Sequence, residues 1–222
     1  YVTDLDGTLL RNDGTISPET AQTLNRLISR GMLISAATAR GLVGVELIPL
    51  SAIHFRLPVV LMGGALLYDP GRRRIVHACE MNAETVGRIL DAFSAAGRTP
   101  MLFRRRGNEI HVYYTRVTPA EEAFIHRKGA DGRSFDRFFH HVGQLKSSPA
   151  VFFSCQGSYA DQTALKAHLD SIPGIRIDLY ADTYQTDAWF LEISREDAGK
   201  DQGVERLRRR IRAKRVVAFG DN

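Results

Sequence analysis

Asp4-Leu5-Asp6-Gly7-Thr8 sets two carboxylates two residues apart, followed at once by a glycine and a hydroxyl. Thr38 and Asp221 each follow an apolar run, and Lys200 precedes the last helix-like segment. The chemistry that suits such a set is phosphoryl transfer to a carboxylate. A carboxylate held at a strand end can attack phosphorus in line, and Asp4 has that place. Its charge repels a phosphate dianion unless a cation screens both. Mg²⁺ needs only one or two carboxylates, with waters and a phosphate oxygen, and Asp4 with Asp221 would supply them. Asp6 can protonate a leaving alkoxide and later take a proton from the hydrolytic water. Gly7 permits the tight turn between these groups, and Thr8 can cap the next turn of chain. Thr38 offers a hydroxyl, and Lys200 a point charge, to the phosphoryl oxygens. Phosphomonoester hydrolysis is so slow uncatalysed that barrier reductions above roughly 20 kcal/mol are required. Positioning and charge neutralisation are the usual sources.

These residues need a scaffold that gathers segments remote in sequence. Tyr1-Val2-Thr3 reads as the end of a buried strand. Ser17-Pro18-Glu19 is a helix start, with a capping hydroxyl, a proline suited to the first turn and an acid at the positive dipole end. Ala21, Leu24, Leu27 and Ile28 recur at helical spacing before Gly31. Met32 to Ala37 and Leu57 to Met62 are apolar runs of strand length. This alternation predicts right-handed crossovers and a parallel sheet, whose carboxyl ends line one crevice where helix starts present N–H groups to anions.

After about residue 70 the rhythm changes. Arg73 to Cys79 predicts half a hairpin, Ala83 to Ala95 an amphipathic helix, and Pro100 to Arg104 with Glu109 to Thr115 an antiparallel pair. Ala150 to Cys155, Tyr159 to Ile172, Ile175 to Tyr180 and Trp189 to Ile193 read as strand, helix, strand and strand. Lys200 to Ala213 and Arg215 to Phe219 restore the helix-then-strand pattern. The fold class is therefore α/β, with an α+β unit inserted into a parallel-sheet domain. The division is core 1–81, insertion 82–188, and core again 189–222.

Composition sets the outer bounds. The 222 residues are 44% hydrophobic and 25% charged, values of an ordinary globular chain. No apolar run approaches the roughly 20 residues that span a bilayer, so no membrane partner is expected. Two isolated cysteines suggest neither a disulfide framework nor a zinc site, and fit a reducing, cytoplasmic setting. The net charge of +5 raises nucleic acid as a partner. Yet the longest basic run, Arg206 to Arg215, interleaves with Leu207 and Ile211 as the outer face of a packed helix would. With no nucleic-acid motif present, none is expected as a partner.

Asp4-Leu5-Asp6-Gly7-Thr8-Leu9-Leu10 resembles the first motif of the haloacid dehalogenase superfamily, in the version its phosphatases use. Thr38-Ala39-Arg40 is similar to the second motif, Lys200 to the third, and Gly220-Asp221-Asn222 to the start of the fourth. The insertion resembles the type C2B cap of the Cof-like, subclass IIB phosphatases. The likeness spans essentially the whole chain and implies a Rossmann-like core, a cap, Mg²⁺ and hydrolysis of small phosphorylated metabolites through an aspartyl-phosphate. It implies Asp4 as nucleophile and metal ligand, and Asp6 as acid/base with its main-chain carbonyl on the metal. Thr38 and Lys200 become phosphate ligands, and Asp221 a metal contact. Arg40 is either an edge charge toward substrate or a structural ion pair. The chain departs from the pattern at Ala39, where the family has Gly, and at Gly63, where Asn is frequent. The fourth motif is expected to continue past Asn222 to a further carboxylate. A phosphomutase of the same superfamily, or a phospho-ligand sensor without turnover, are the competing readings.

Overall fold

A computed structural model of the chain describes residues 1–42, 52–116, 119, 122, 135–137, 145–182 and 187–220. In chain order its first elements are β1 (Val2–Thr3), α1 (Pro18–Ser29), β2 (Ser35–Ala36), β3 (Val59–Leu61), β4 (Leu66–Asp69) and β5 (Arg74–Ala78). Next come α2 (Ala83–Ala95), β6 (Met101–Arg106), β7 (Glu109–Tyr114), β8 (Phe135–Arg137), β9 (Phe152–Gly157) and α3 (Tyr159–Leu169). The chain ends with β10 (Ile175–Ala181), β11 (Trp189–Arg195), α4 (Lys200–Arg210) and β12 (Ala218–Phe219). Two compact units result, one of residues 1–78 with 197–222 and the other of residues 79–196.

The first unit holds the parallel sheet, in the order β12-β1-β2. Val2 lies opposite Ala218 on one side and Ser35 on the other. A parallel bridge between Ala37 and Val60 carries the pairing on to β3. Val59, Val60 and Leu61 are all fully buried, the mark of a strand covered on both faces. β3 then turns back antiparallel into β4 and β5. Ser17 caps α1 by accepting the Thr20 N–H at 2.9 Å, and Gly31, at φ +92°, lies just beyond its end. Val204 and Leu207 of α4, with Ile211 just past its end, pack with Val2, Ala37, Val60 and Leu67. Three arginines of α4 are engaged in ion pairs: Arg206 with Asp197, Arg208 and Arg209 with Glu205.

The second unit is a six-stranded sheet, β10-β11-β9-β6-β7-β8, antiparallel throughout except where β8 joins β7. Val86, Ile89, Leu90 and Phe93 fall on one stripe of α2 and are fully buried. They pack with Leu165 and Leu169 of α3 onto Leu102, Phe153, Leu191 and Ile193 of the sheet. Asn82 caps α2 by accepting the Thr85 N–H at 2.8 Å. Cys79 and Cys155 are buried free thiols.

The unit boundaries differ from the expected 82–188 insertion. β11 does not return to the first unit: it lies between β10 and β9, with its residues paired to both. Its alternate side chains Leu191 and Ile193 complete the helix-covered core, so the chain leaves this unit only after Glu196. Much of 119–147, which carries little periodicity, lies outside the described residues.

Candidate active site

The parallel registers bring the ends of β1, β2 and β3 together within the first unit. The Asp4 N–H donates to Phe219 O at 2.8 Å, and the Ala37 N–H to Thr3 O at 2.9 Å. The Thr38 N–H reaches Val60 O at 2.9 Å, and the Gly63 N–H reaches Thr38 O at 3.1 Å. These ladders place Asp4, Thr38 and the turn after β3 side by side.

Asp4 is held at both carboxylate oxygens. Oδ1 accepts the Leu5 N–H at 2.7 Å, and Oδ2 accepts from Lys200 Nζ at 2.6 Å. Its side chain is 17% exposed, so the pair is partly shielded yet open to a small ligand. The turn beyond it is pinned by buried Leu5 and Leu10, with the Leu10 N–H on Leu5 O at 2.8 Å. Gly7 sits at φ +73°, where a side chain is disfavoured. Asp6, 58% exposed, is gripped edge-on by Arg40: Nη2 to Oδ1 at 2.6 Å and Nε to Oδ2 at 2.9 Å. Thr38 is buried, and its Oγ1 accepts the Arg40 N–H at 3.1 Å, so the hydroxyl hydrogen is directed elsewhere. Asp4, Asp6, Thr38, Arg40 and Lys200 thus all lie at this edge of the sheet. Asp221 and Asn222 lie outside the described residues.

Sequence reasoning missed the residues that bring Lys200 here. Met62, Gly63 and Gly64 follow β3 with φ of +49°, +61° and +106°, so the chain turns through three successive left-handed residues. A Cβ on Gly64 would stand 2.0 Å from Gly199 O, and one on Gly203 would stand 2.5 Å from Val60 Cγ1. Only glycine at both positions lets the first turn of α4 lie on the end of β3, and Lys200 is the first residue of that helix. The one available signal was Gly203, a glycine inside a helical pattern, which costs stability unless close packing requires it.

A profile of the haloacid dehalogenase-like hydrolases matches residues 1–222. The chain belongs to that family. The Cof-like resemblance read from the sequence holds, and the family makes this chain an enzyme of the hydrolase class. Among curated relatives it is 24% identical over 225 residues to the HMP-PP phosphatase of Serratia proteamaculans, covering 98% of this chain and 75% of that one. The solved structure of TM0651 from Thermotoga maritima superposes with a TM-score of 0.79 at 18% identity, over 100% of this hydrolase and 79% of TM0651. The subclass IIB sugar phosphatase BT4131 gives 0.67 at 19% identity, over 96% and 76%. These likenesses show the fold: a Rossmann-like core carrying an inserted α+β cap. No helix among the described residues is long and apolar enough to cross a membrane.

Proposed function

We propose that this hydrolase is a Mg²⁺-dependent phosphatase of small phosphorylated metabolites that works through an aspartyl-phosphate on Asp4. The observation that carries the reading is the Asp4 carboxylate at the end of β1, fixed by a backbone N–H and facing Lys200 at 2.6 Å. A phosphoryl group entering there meets a nucleophile whose repulsion Lys200 offsets. Asp4 forms a new O–P bond as the bond from phosphorus to the ester oxygen breaks, and the Asp6 carboxyl gives its proton to the departing alkoxide. Water then attacks the same phosphorus, Asp6 takes its proton, and the Asp4–phosphate bond breaks to release inorganic phosphate. Thr38 and Lys200 hold the phosphoryl oxygens throughout.

The donor set fits magnesium. Asp4 and the main-chain carbonyl of Asp6 would supply hard oxygens, and Asp221 is the further ligand implied by the motif. Among the described residues no cluster of three acidic, His or Cys side chains forms a closed cage. Mg²⁺ accepts as few as one or two carboxylates, and Asp4 with the Asp6 carbonyl would hold it here. When bound, Mg²⁺ would neutralise the charge that Asp4 and the phosphate share.

Sugar phosphates or phosphorylated cofactors are the proposed substrates, as the relatives' activities suggest. The inserted unit is assigned to substrate selection, and the cytoplasm is the proposed location. Turnover of p-nitrophenyl phosphate with and without Mg²⁺ tests the reaction, with acid quenching to trap phosphate on the protein. Full activity in Asp4→Asn, or phosphate trapped on any other residue, refutes it.

A further inference from the structure

We infer that Arg40 is the positioning residue for Asp6, setting the direction of its carboxylate from the end of β2, rather than a contact for substrate. The inference rests on the phosphatase reading above. Asp6 stands within the single π-helical turn Leu5–Leu9 but with non-helical φ −70° and ψ 133°, and its side chain is more than half exposed. Its own backbone segment therefore does little to choose its rotamer. Arg40 is the better-fixed partner. Its N–H is bound to Thr38 Oγ1 at 3.1 Å, its carbonyl accepts the Met62 N–H at 3.0 Å, and its side chain is 25% exposed. The guanidinium meets Asp6 through the Nε–Nη2 edge, with one oxygen on each nitrogen. An exposed ion pair with a single contact holds little. A two-point fork fixes both distance and plane, which an ammonium cannot do. Thr38, which orients the Arg40 backbone, thereby serves the phosphoryl group and the acid/base residue at once.

The test is a double-mutant cycle on the full chain, read with p-nitrophenyl phosphate, whose phenolate leaves without a proton and keeps Asp6→Asn measurable. A reacting group misplaced by about 1 Å costs on the order of 100-fold, so Arg40→Ala should lower kcat roughly 10- to 100-fold while KM changes less than about threefold. Arg40→Lys, which keeps the charge but not the fork, should recover only a minor part. In the Asp6→Asn background, Arg40→Ala should cause less than about a twofold further loss, because residues acting as a unit are non-additive. A raised KM at unchanged kcat, or full additivity of the two losses, makes Arg40 a substrate contact and overturns the inference. One readout is independent of turnover. The Arg40 Nε–H resonance should exchange slowly with water in the unaltered chain and fast in Asp6→Asn. Equal exchange in both sinks the inference whatever the activity. Failure of the phosphatase reading appears elsewhere, as undiminished turnover in Asp4→Asn, and the resonance then decides the fork alone.

Discussion

The two units use their residues differently. In the first, the paired strands of the parallel sheet are two or three residues long, and the groups that matter lie just beyond their ends, as charges held against other charges. In the second, six- and seven-residue strands carry a continuous apolar face under two helices. The polar side of that sheet still contains one ionisable group out of place. Glu192, between Leu191 and Ile193, points away from the helices and lies in register with Asp178 and Ser154. Burial pushes its carboxyl up from 4.5 to about 7, against the Tyr180 hydroxyl that hydrogen-bonds it, while Asp178 adds to the rise. The first unit thus gathers charged groups at its strand ends, and the second gathers apolar ones that hold a sheet together.

That contrast can be broken at its strongest point first. Asp4→Asn should reduce phosphatase turnover by at least about a thousandfold, because it removes the proposed nucleophile, yet leave the thermal midpoint unaltered or raised. A large fall in the midpoint would mean that the Lys200 pair is a structural element. In the second unit, Phe153→Ala deletes a fully buried ring stacked 6.5 Å from Phe93 and should cost about 3–5 kcal/mol in urea unfolding. Trp189, the chain's single tryptophan, lies in β11 and provides the fluorescence signal. Gly203→Ala should cost about 2–3 kcal/mol through the clash with Val60, and should also lower kcat by moving Lys200 away from Asp4. Loss of stability without loss of kcat would separate the helix contact from the site.

The smallest effect concerns pH. Glu192 binds its proton more tightly folded than unfolded, so between pH 4.5 and about 7 the unfolded chain ionises first and stability falls as pH rises. Glu192→Gln lacks that loss. Its stability relative to the unaltered chain should grow by about 1–3 kcal/mol across this window and stay level above it, read from urea midpoints at successive pH values. A flat difference would place Glu192 in contact with water.

Much of this was legible in the residues. That Asp4 and Thr38 lie side by side could be expected because strand ends in a parallel sheet converge, and the apolar runs before both were plain. α1 and α2 could be bounded because Ser17 and Asn82 cap them and their apolar residues keep helical spacing. Two things were not legible. The strand at Trp189 has the same pattern whether it returns to the core or stays in the insertion, since pairing partners are tertiary facts. Nor could Gly64 and Gly203 be linked, because a close approach between residues 139 positions apart leaves no local periodicity. For Arg40 the sequence left two readings open, and the fork on Asp6, which favours the ion pair, is visible only when the ends of β1 and β2 are seen together.

The sheet order β12-β1-β2 also has a consequence in time. β1 is made before the inserted unit, but one of its partners, β12, and the lysine facing Asp4 are made after it. The whole of 79–196 is made in between. At common rates of synthesis that is a delay on the order of ten seconds, ample for the inserted sheet to fold by itself while β1 has one flank bare. The nascent chain therefore acquires its second unit before its first is closed. A pause or a stalled chain in that interval leaves a strand edge exposed, and Asp4 gains its lysine counter-charge only after the inserted unit has been made.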